Sequence, residues 1–178
     1  MNHGDTQTVV TVVAYDPSWP ARYEAERRIV AAALGGDAVL IEHIGSTSVP
    51  GLAAKPIIDI VIAARRIPLP APCVSAMEAI GYEHLGEYGI PGREYFRKIR
   101  PAPRTHHVHV YAVGDERVAA HLVLRDYLRS HPSDAERYGT FKRTLASTPK
   151  DAREFSAGKA ELIAELLQRA REWRGRGR

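Results

Sequence analysis

The feature that most constrains this chain is a short apolar segment interrupted by one carboxylate. Residues 57 to 63, Ile-Ile-Asp-Ile-Val-Ile-Ala, are aliphatic at every position except Asp59. A run of this kind is typical of a central strand that is covered on both faces. A carboxylate in such a strand costs free energy unless it is paired, hydrogen-bonded or bound to a metal. Asp59 is therefore either a cap at the end of the strand or part of a functional site.

A turn of small and hydroxylated residues precedes this strand. Residues 38 to 44 predict another strand, and the turn that follows comprises Gly45, Ser46, Thr47 and Ser48. Glycine lets the backbone approach a ligand closely, while hydroxyl and amide groups can hold a phosphate or supply oxygens to Mg²⁺. Lys55, between the turn and Asp59, can contact a phosphate as a point charge. Small residues after a strand are also typical of a plain turn, and no Gly-Lys-Ser/Thr sequence makes this a Walker A loop.

The remaining pattern predicts one α/β domain of the α+β kind over residues 1 to 178, with a helical C-terminal third. Residues 8 to 14 predict a first strand, and residues 93–100 and 105–113 predict an antiparallel pair. Helices are predicted after Ser18 as far as Gly35, from Ala71 to Ile80, and from Glu116 onward, with one opened by a capping box at Ser133 and the last opened by Pro149. Residues 175 to 178 are expected to fray. In the first helix, the residues expected to face the core are Trp19, Tyr23, Ile29, Val30 and Leu34.

Composition narrows the class of protein. The net charge of +4 is mildly basic, and much of the excess lies in a Gly-Arg tail typical of a solvated helix end. No basic stripe with interleaved aromatic residues predicts a nucleic-acid partner. Cys73 is the one cysteine and lies in an apolar helical segment, which favours a packed thiol in a reducing compartment. Neither a signal peptide nor a run long enough to cross a membrane is apparent, so a cytoplasmic protein without a membrane partner is expected.

The run from His43 to Ile60, HIGSTSVPGLAAKPIIDI, resembles the signature of the GrpB family. Further stretches resemble that family too: YDPSWP at 15–20, GREYF at 92–96, HHVHV at 106–110 and LRDYL at 124–128. The resemblance covers nearly the whole chain and implies a nucleotidyltransferase-like mixed β-sheet with packed helices. In that superfamily a Gly-Ser pair follows one strand. Two carboxylates, two residues apart on the next strand, hold metal ions that bridge a nucleoside triphosphate.

The chain departs from that superfamily pattern where the second carboxylate would stand. Gly45, Ser46 and Asp59 match, but position 61 is Val61. The strand expected to supply a third carboxylate offers His107 and His109 instead, which point to one face because they lie two residues apart. If that face meets Asp59, the three side chains form a two-His, one-carboxylate set that suits Mn²⁺, Fe²⁺ or Zn²⁺. Alternatively, the imidazoles form hydrogen bonds within a polar face or contact a substrate phosphate.

Positively charged residues on the strand paired with the histidine strand are also candidates. Arg93 and Arg97 alternate onto one face, where Arg93 is the preferred phosphate ligand, and Lys98 is expected to be solvated on the other face. Successive side chains of a strand point to opposite faces. On the strand before the turn, Glu42 is therefore expected on the same side as Ser46, and His43 on the opposite side.

The leading hypothesis is a metal-dependent nucleotidyl or phosphoryl transferase that binds a nucleoside triphosphate, with Mg²⁺ or Mn²⁺, and acts on a small molecule. The predicted catalytic residues are Asp59, Ser46, His107 and His109. The predicted phosphate ligands are Gly45, Ser46, Thr47, Ser48, Lys55 and Arg93, and the predicted metal ligands are Asp59, His107 and His109. An alternative, motivated by Val61, is a catalytically silent module that binds a nucleotide or a coenzyme A-like ligand. A third is a transition-metal hydrolase centred on the two histidines and Asp59.

Overall fold

A five-stranded mixed sheet forms the centre of the protein. The computed structural model describes residues 10–101, 103–148 and 152–176. The strands are β1 (Ala38–Ile44), β2 (Ile58–Ala64), β3 (Tyr82–His84), β4 (Glu94–Lys98) and β5 (His106–Ala112). They lie in the order β1-β2-β5-β4-β3, with β2 and β5 parallel and the other neighbours antiparallel. This arrangement confirms the predicted mixed α+β class.

Helices cover both faces of this sheet. They are α1 (Trp19–Leu34), α2 (Ala71–Ala79), α3 (Glu116–Ser130), α4 (Pro132–Ala146), α5 (Ala152–Gly158) and α6 (Ala160–Arg176). Short 3₁₀ turns occupy Gly35–Asp37 and Ser46–Ser48. Because α3 to α6 account for most residues after 115, the predicted helical C-terminal third is confirmed.

One face of the sheet packs against α1 and α2. The side chains of Ile58, Ile60 and Ile62 point to this face and are completely buried with Trp19 and Met77. Burial of apolar surface at about 25 cal/mol per Å² makes this the main stabilising cluster of the fold. The core residues predicted in α1 are buried except Ile29, which is 43% exposed.

The opposite face is divided between hydrocarbon and polar groups. Val61, Ala63 and Tyr111 pack beneath Val118 of α3 at one end of the strands. At the other end the same face carries Asp59, His107 and His109, because residues two apart on a strand share a face. The helical layer has its own core, in which α3, α4 and α6 pack together with Val49 and Leu52 of the loop after β1. That packing places α4 beside the Gly45–Ser48 turn.

Several local predictions are wrong. In the described part of residues 8 to 14, the chain forms only an isolated bridge between Val13 and Ala54, because no further strand lies beside it. The capping box at Ser133 does not form, since α4 begins one residue earlier at Pro132 and its cap position is His131. Pro149 lies outside the described residues. The single last helix is two helices, α5 and α6. Residues 175 and 176 belong to α6, residues 177 and 178 lie outside the described residues, and the expected fraying of this tail stays a prediction.

Two polar predictions have opposite outcomes. Cys73 is a packed thiol, as predicted, and burial raises its pKa. Lys98 is not solvated: its Nζ donates to both carboxylate oxygens of Glu26 at 2.7 and 2.8 Å, beneath α1. Tyr82 donates a third hydrogen bond to the same carboxylate at 3.0 Å. The pair is therefore buried and fully hydrogen-bonded, which alternation along the strand could not reveal.

Candidate active site

Asp59 lies directly against the glycine turn. In the antiparallel register of β1 and β2, Ile44 is the partner of Asp59, so the turn after Ile44 passes over the carboxylate. Gly45 has φ +69°, and a Cβ atom there would lie 2.7 Å from Asp59 Oδ2. Only glycine fits both the backbone angle and this close approach. The Asp59 side chain is 31% exposed, so the carboxylate is open to solvent beside the turn rather than enclosed in hydrocarbon.

The two imidazoles predicted to meet this carboxylate do so. The parallel register pairs Asp59 with His107, and it places His109 two residues further along the same face. His107 Nδ1 lies 3.3 Å from Asp59 Oδ1, and His109 Nε2 lies 4.0 Å from the same oxygen. The prediction that the three side chains share one face is confirmed.

Opposing electrostatic effects act within this cluster. Burial tends to raise the pKa of Asp59, but the adjacent imidazoles of His107 and His109 outweigh it and hold the pKa well below its usual range. Burial lowers the pKa of His107, and the neighbouring Asp59 charge opposes that shift. His107 Nε2 is buried without a hydrogen-bond partner among the described residues. Asp59 is thus an anion at all ordinary pH values, held between imidazoles.

Ser46 is contacted by two residues of α4 that the sequence did not single out. Lys142 Nζ lies 2.7 Å from Ser46 Oγ and also donates to the carbonyl oxygen of Ala53. Tyr138, one turn earlier on the same helix face, is buried, and burial raises the tyrosine pKa to about 12. Burial lowers the pKa of Lys142 to about 7, assisted by the charge of Lys159. The available signal was the pair of polar residues at i and i+4, which share one helix face.

Two further lysines lie near the carboxylate. Lys159, between α5 and α6, has its pKa lowered by burial, while the charge of Asp59 raises it and that of Lys55 lowers it. Both ammonium groups lie over the ring of Phe155, at 5.8 Å for Lys55 and 5.0 Å for Lys159. Lys55 therefore lies near the site, and its predicted contact with a phosphate stays a prediction. Lys159 was missed because α5 and α6 were taken as one helix.

Arg93 lies at the His109 end of the site. Its guanidinium donates to the carbonyl oxygens of Glu87 and Tyr88, stacks 4.6 Å from the ring centre of Tyr95, and lies 3.3 Å from His109 Nδ1. Arg97, which alternation placed on the same face, is paired with Glu83. Arg93 therefore lies at the site, but most of its N–H groups already donate to backbone carbonyl oxygens.

The other hydroxyl groups of the turn bind within the protein. Thr47 Oγ1 lies 2.9 Å from His43 Nε2, and Ser48 Oγ donates to the carbonyl oxygen of Gly45 at 2.6 Å. Both residues are buried, whereas Ser46 is partly exposed. The phosphate contacts predicted for Thr47 and Ser48 stay predictions. Their hydroxyls stabilise the turn in this arrangement, whereas the Ser46 hydroxyl contacts Lys142 of α4.

The Glu42 carboxylate forms an ion pair with an arginine of α3. Its carboxylate accepts a hydrogen bond from Arg125 of α3 at 2.6 Å, and Arg125 also donates to the carbonyl oxygen of His43. These residues line a separate cavity of about 320 Å³ at the β1 edge. Arg125 therefore ties α3 to the sheet behind the turn.

The donor set does not fit the metal centre of a two-metal transferase. Among the described residues, no group of three or more His, Cys, Asp or Glu side chains is placed so that it could hold a metal ion. Val61 is completely buried where the second carboxylate would stand, and the ammonium groups of Lys142 and Lys159 lie nearby. Positive charge at this density opposes a bound divalent cation. Metal ligation by Asp59, His107 and His109 stays a prediction.

The fold and the site define a mixed α+β protein in which one carboxylate, two imidazoles and several lysines meet at a glycine–serine turn. Comparison with known proteins identifies the family. The family model described as GrpB protein matches residues 9–169. The chain belongs to the GrpB family, as its sequence signature predicted.

Individual relatives agree with this assignment. The chain is 39% identical over 166 residues to the UPF0157 protein YqkA of Bacillus subtilis, covering 93% of this chain but 48% of that protein. It is 42% identical to a UPF0157 protein of Streptomyces coelicolor, over 88% of this chain and 81% of the relative. The crystal structure of conserved protein GrpB from Enterococcus faecalis superposes with a TM-score of 0.85 at 39% identity, covering 92% of this chain and 99% of that one.

A more distant relative is a dephospho-CoA kinase of Mycolicibacterium paratuberculosis, which is 25% identical over 92% of this chain and 46% of that protein. The chain thus spans about half of the length of two of the proteins it matches. None of the helices in the described ranges is both long and apolar enough to cross a membrane.

Proposed function

We propose that this site binds the phosphate groups of a nucleotide or of a coenzyme A-like small molecule without requiring a divalent cation. The observation that carries this proposal is the buried ammonium of Lys142, whose hydrogen-bond acceptors within the described ranges are the neutral oxygens of Ser46 and Ala53. A buried cation whose acceptors are neutral gains most when an anion is placed beside it. A phosphate at the opening of the turn is an anion of suitable size.

The surrounding charges support an anionic ligand. Lys55 and Lys159 lie over the same aromatic ring near Lys142, and Arg93 lies beyond His109. Asp59 is the carboxylate that faces them, and two imidazoles lie beside it. A ligand with several phosphate charges therefore meets a site of net positive charge.

Titration calorimetry with ATP, coenzyme A and inorganic phosphate tests the proposal directly. Each ligand is titrated at pH 7 in the presence of EDTA and again with Mn²⁺. We expect binding of ATP or coenzyme A that changes less than threefold between the two conditions. Lys142→Met is expected to weaken binding about tenfold, because a charge-assisted hydrogen bond is lost. Arg27→Met, at an exposed surface pair remote from the turn, serves as the matched control. Absence of heat with all three ligands would refute the proposal.

A second candidate is the metal-dependent transferase, and a specific observation favours it. Asp59 lies against Gly45 with both imidazoles beside it, which is where a metal-holding carboxylate would belong. Asp59→Asn separates the two functions. Binding without a metal predicts unchanged or tighter affinity, since a negative charge is removed from an anion site. A transferase predicts that Mn²⁺-dependent turnover of ATP exists in the wild type and is abolished in this variant.

A further inference from the structure

Ser46 occupies an unusual position at the end of β1. It follows Gly45, whose φ of +69° and ψ of −173° turn the chain sharply, and it begins the 3₁₀ turn Ser46–Ser48. The residue is partly exposed, whereas Thr47 and Ser48 are buried. Its hydroxyl therefore follows a sharply turned backbone and has polar partners beside it.

Those partners are a lysine and a tyrosine from the same helix face. Lys142 Nζ is 2.7 Å from Ser46 Oγ, and Tyr138 lies one turn earlier on the same helix face. The Lys142 ammonium also lies 4.4 Å from the centre of the Tyr138 ring. As a neutral amine, Lys142 could accept the serine proton while still donating to the carbonyl oxygen of Ala53, so the contact survives deprotonation.

The surroundings of Lys142 favour its neutral form. The residue is 2% exposed, and burial lowers its pKa to about 7. The charged groups that act on it are Lys159 from the segment between α5 and α6, Asp59 from β2 and Arg143 from its own helix. The two cations disfavour the ammonium and the carboxylate favours it. A general base is most effective when its pKa lies close to the working pH.

We propose that Ser46 is a nucleophile toward phosphorus in phosphate esters and anhydrides, and that Lys142 is the base that takes its proton. Oγ of Ser46 forms a bond to phosphorus, and the bond from phosphorus to the leaving oxygen breaks. The serine proton passes to Lys142 Nζ and then to the departing oxygen, which leaves with the bonding electron pair. Lys55 and Lys159 lie where they can neutralise charge on the phosphoryl oxygens. This inference goes beyond phosphate binding, because a site that only binds needs no base on the hydroxyl.

An alkyl fluorophosphonate probe tests the inference without knowledge of the natural substrate. The same step applies, with the P–F bond breaking and fluoride leaving. Mass spectrometry of the digested protein locates the adduct. We expect an adduct on Ser46 whose rate of formation rises about tenfold between pH 6 and pH 8, as a group with a pKa near 7 loses its proton. Lys142→Met is expected to slow labelling at least a hundredfold, and Ser46→Ala to abolish it. Ser147→Ala, at an exposed serine whose hydroxyl donates to the carbonyl oxygen of Thr144, should label like the wild type.

The wild-type protein alone can overturn the inference. Failure to label Ser46, or labelling at a rate that does not change between pH 6 and pH 8, contradicts a role for Lys142 as its base. Circular dichroism of each variant shows whether a loss of labelling reflects unfolding. The outcome is separable from that of the proposed function: calorimetric binding of ATP or coenzyme A with no adduct leaves a binding protein, and an adduct without calorimetric binding leaves a nucleophile whose ligand is of another kind.

Discussion

Lys98 and Lys142 are both enclosed by this protein, but they are held in opposite ways. Lys98 lies beneath α1 and donates to both oxygens of Glu26, whose side chain is 7% exposed. Lys142 lies beside the Gly45–Ser48 turn and contacts the neutral oxygens of Ser46 and Ala53. One cation is matched by a carboxylate within the fold. The other has neutral oxygens as its hydrogen-bond acceptors.

This difference separates a structural ion pair from a reactive site. A buried pair with good geometry holds its charge state, and removing one partner leaves an uncompensated charge. A buried lysine on neutral acceptors destabilises the fold and has a shifted pKa, which is a property of functional sites more often than of cores. The following predictions test the contrast, in order of expected size.

Lys98→Met should give the largest loss of stability. The substitution leaves the Glu26 carboxylate buried without its cation, and we expect the free energy of unfolding to fall by about 3–5 kcal/mol at pH 7. Urea denaturation measures the change. The double variant Glu26→Gln/Lys98→Met, which removes both charges, should recover at least half of the loss. A fall below about 1 kcal/mol in the single variant would show that the pair is not structural.

Gly45→Ala should give the next largest effect, this time at the site. The alanine would adopt a positive φ, and its Cβ would meet Asp59 Oδ2 at 2.7 Å, so we expect a loss of about 2–3 kcal/mol. Gly35→Ala is the matched control, because Gly35 also has a positive φ but has nothing within 4 Å of the added Cβ. Its loss should be about 1 kcal/mol. Equal losses in the two variants would mean that the carboxylate yields freely to the new methyl group.

Lys142→Met should change the pH dependence of stability more than stability itself. The folded-state pKa of about 7 lies below the ordinary value of 10.5, so the unfolded chain binds more protons between these values. Because of Lys142, the free energy of unfolding of the wild type should therefore rise with pH between about 7 and 10.5. The variant should lack this rise. We expect the variant to be more stable than the wild type by about 1–2 kcal/mol at pH 6 and to lose this advantage by pH 9.5. Urea denaturation at both pH values measures the free energies of unfolding. If the difference in free energy between the two proteins is the same at pH 6 and pH 9.5, the lowered pKa of Lys142 is contradicted.

Arg27→Met should have the smallest effect. Arg27 and Glu24 form an ion pair on the surface of α1 with both side chains about half exposed, at 43% and 50%. Such pairs contribute about 0–0.5 kcal/mol, since solvent screens them. Thermal unfolding should therefore place this variant within 2 °C of the wild type, about the shift that a change of this size produces. A larger shift would mean that burial is not what distinguishes Lys98 from this exposed pair.

Patterns local in sequence predicted much of this structure. The bounds of β1 were correct and those of β2 were one residue off, because long aliphatic runs between turn residues leave few alternatives. The meeting of Asp59 with His107 and His109 followed from side-chain parity on two strands. The predicted strand at residues 8 to 14 was wrong, because strand propensity says nothing about whether a partner strand is present.

The missing part of the site depends on contacts between distant segments. Lys142 and Tyr138 reach Ser46 because α4 packs beside the loop after β1, and a single sequence does not reveal that packing. Lys98 was placed on the correct face but was assigned to solvent, because the helix that covers that face also supplies its partner, Glu26. The face to which a strand residue points follows from the local sequence. The helix that covers that face is set by contacts between distant segments.

The order of the elements along the chain has a consequence for biosynthesis. All five strands lie between residues 38 and 112, whereas Lys142 and Lys159 follow near the end. On the ribosome, the sheet with Asp59, both imidazoles, Lys55 and Arg93 is therefore translated before Lys142 and Lys159. If the proposed phosphate ligand stabilises folding through Lys142, it does so only after α4 has emerged.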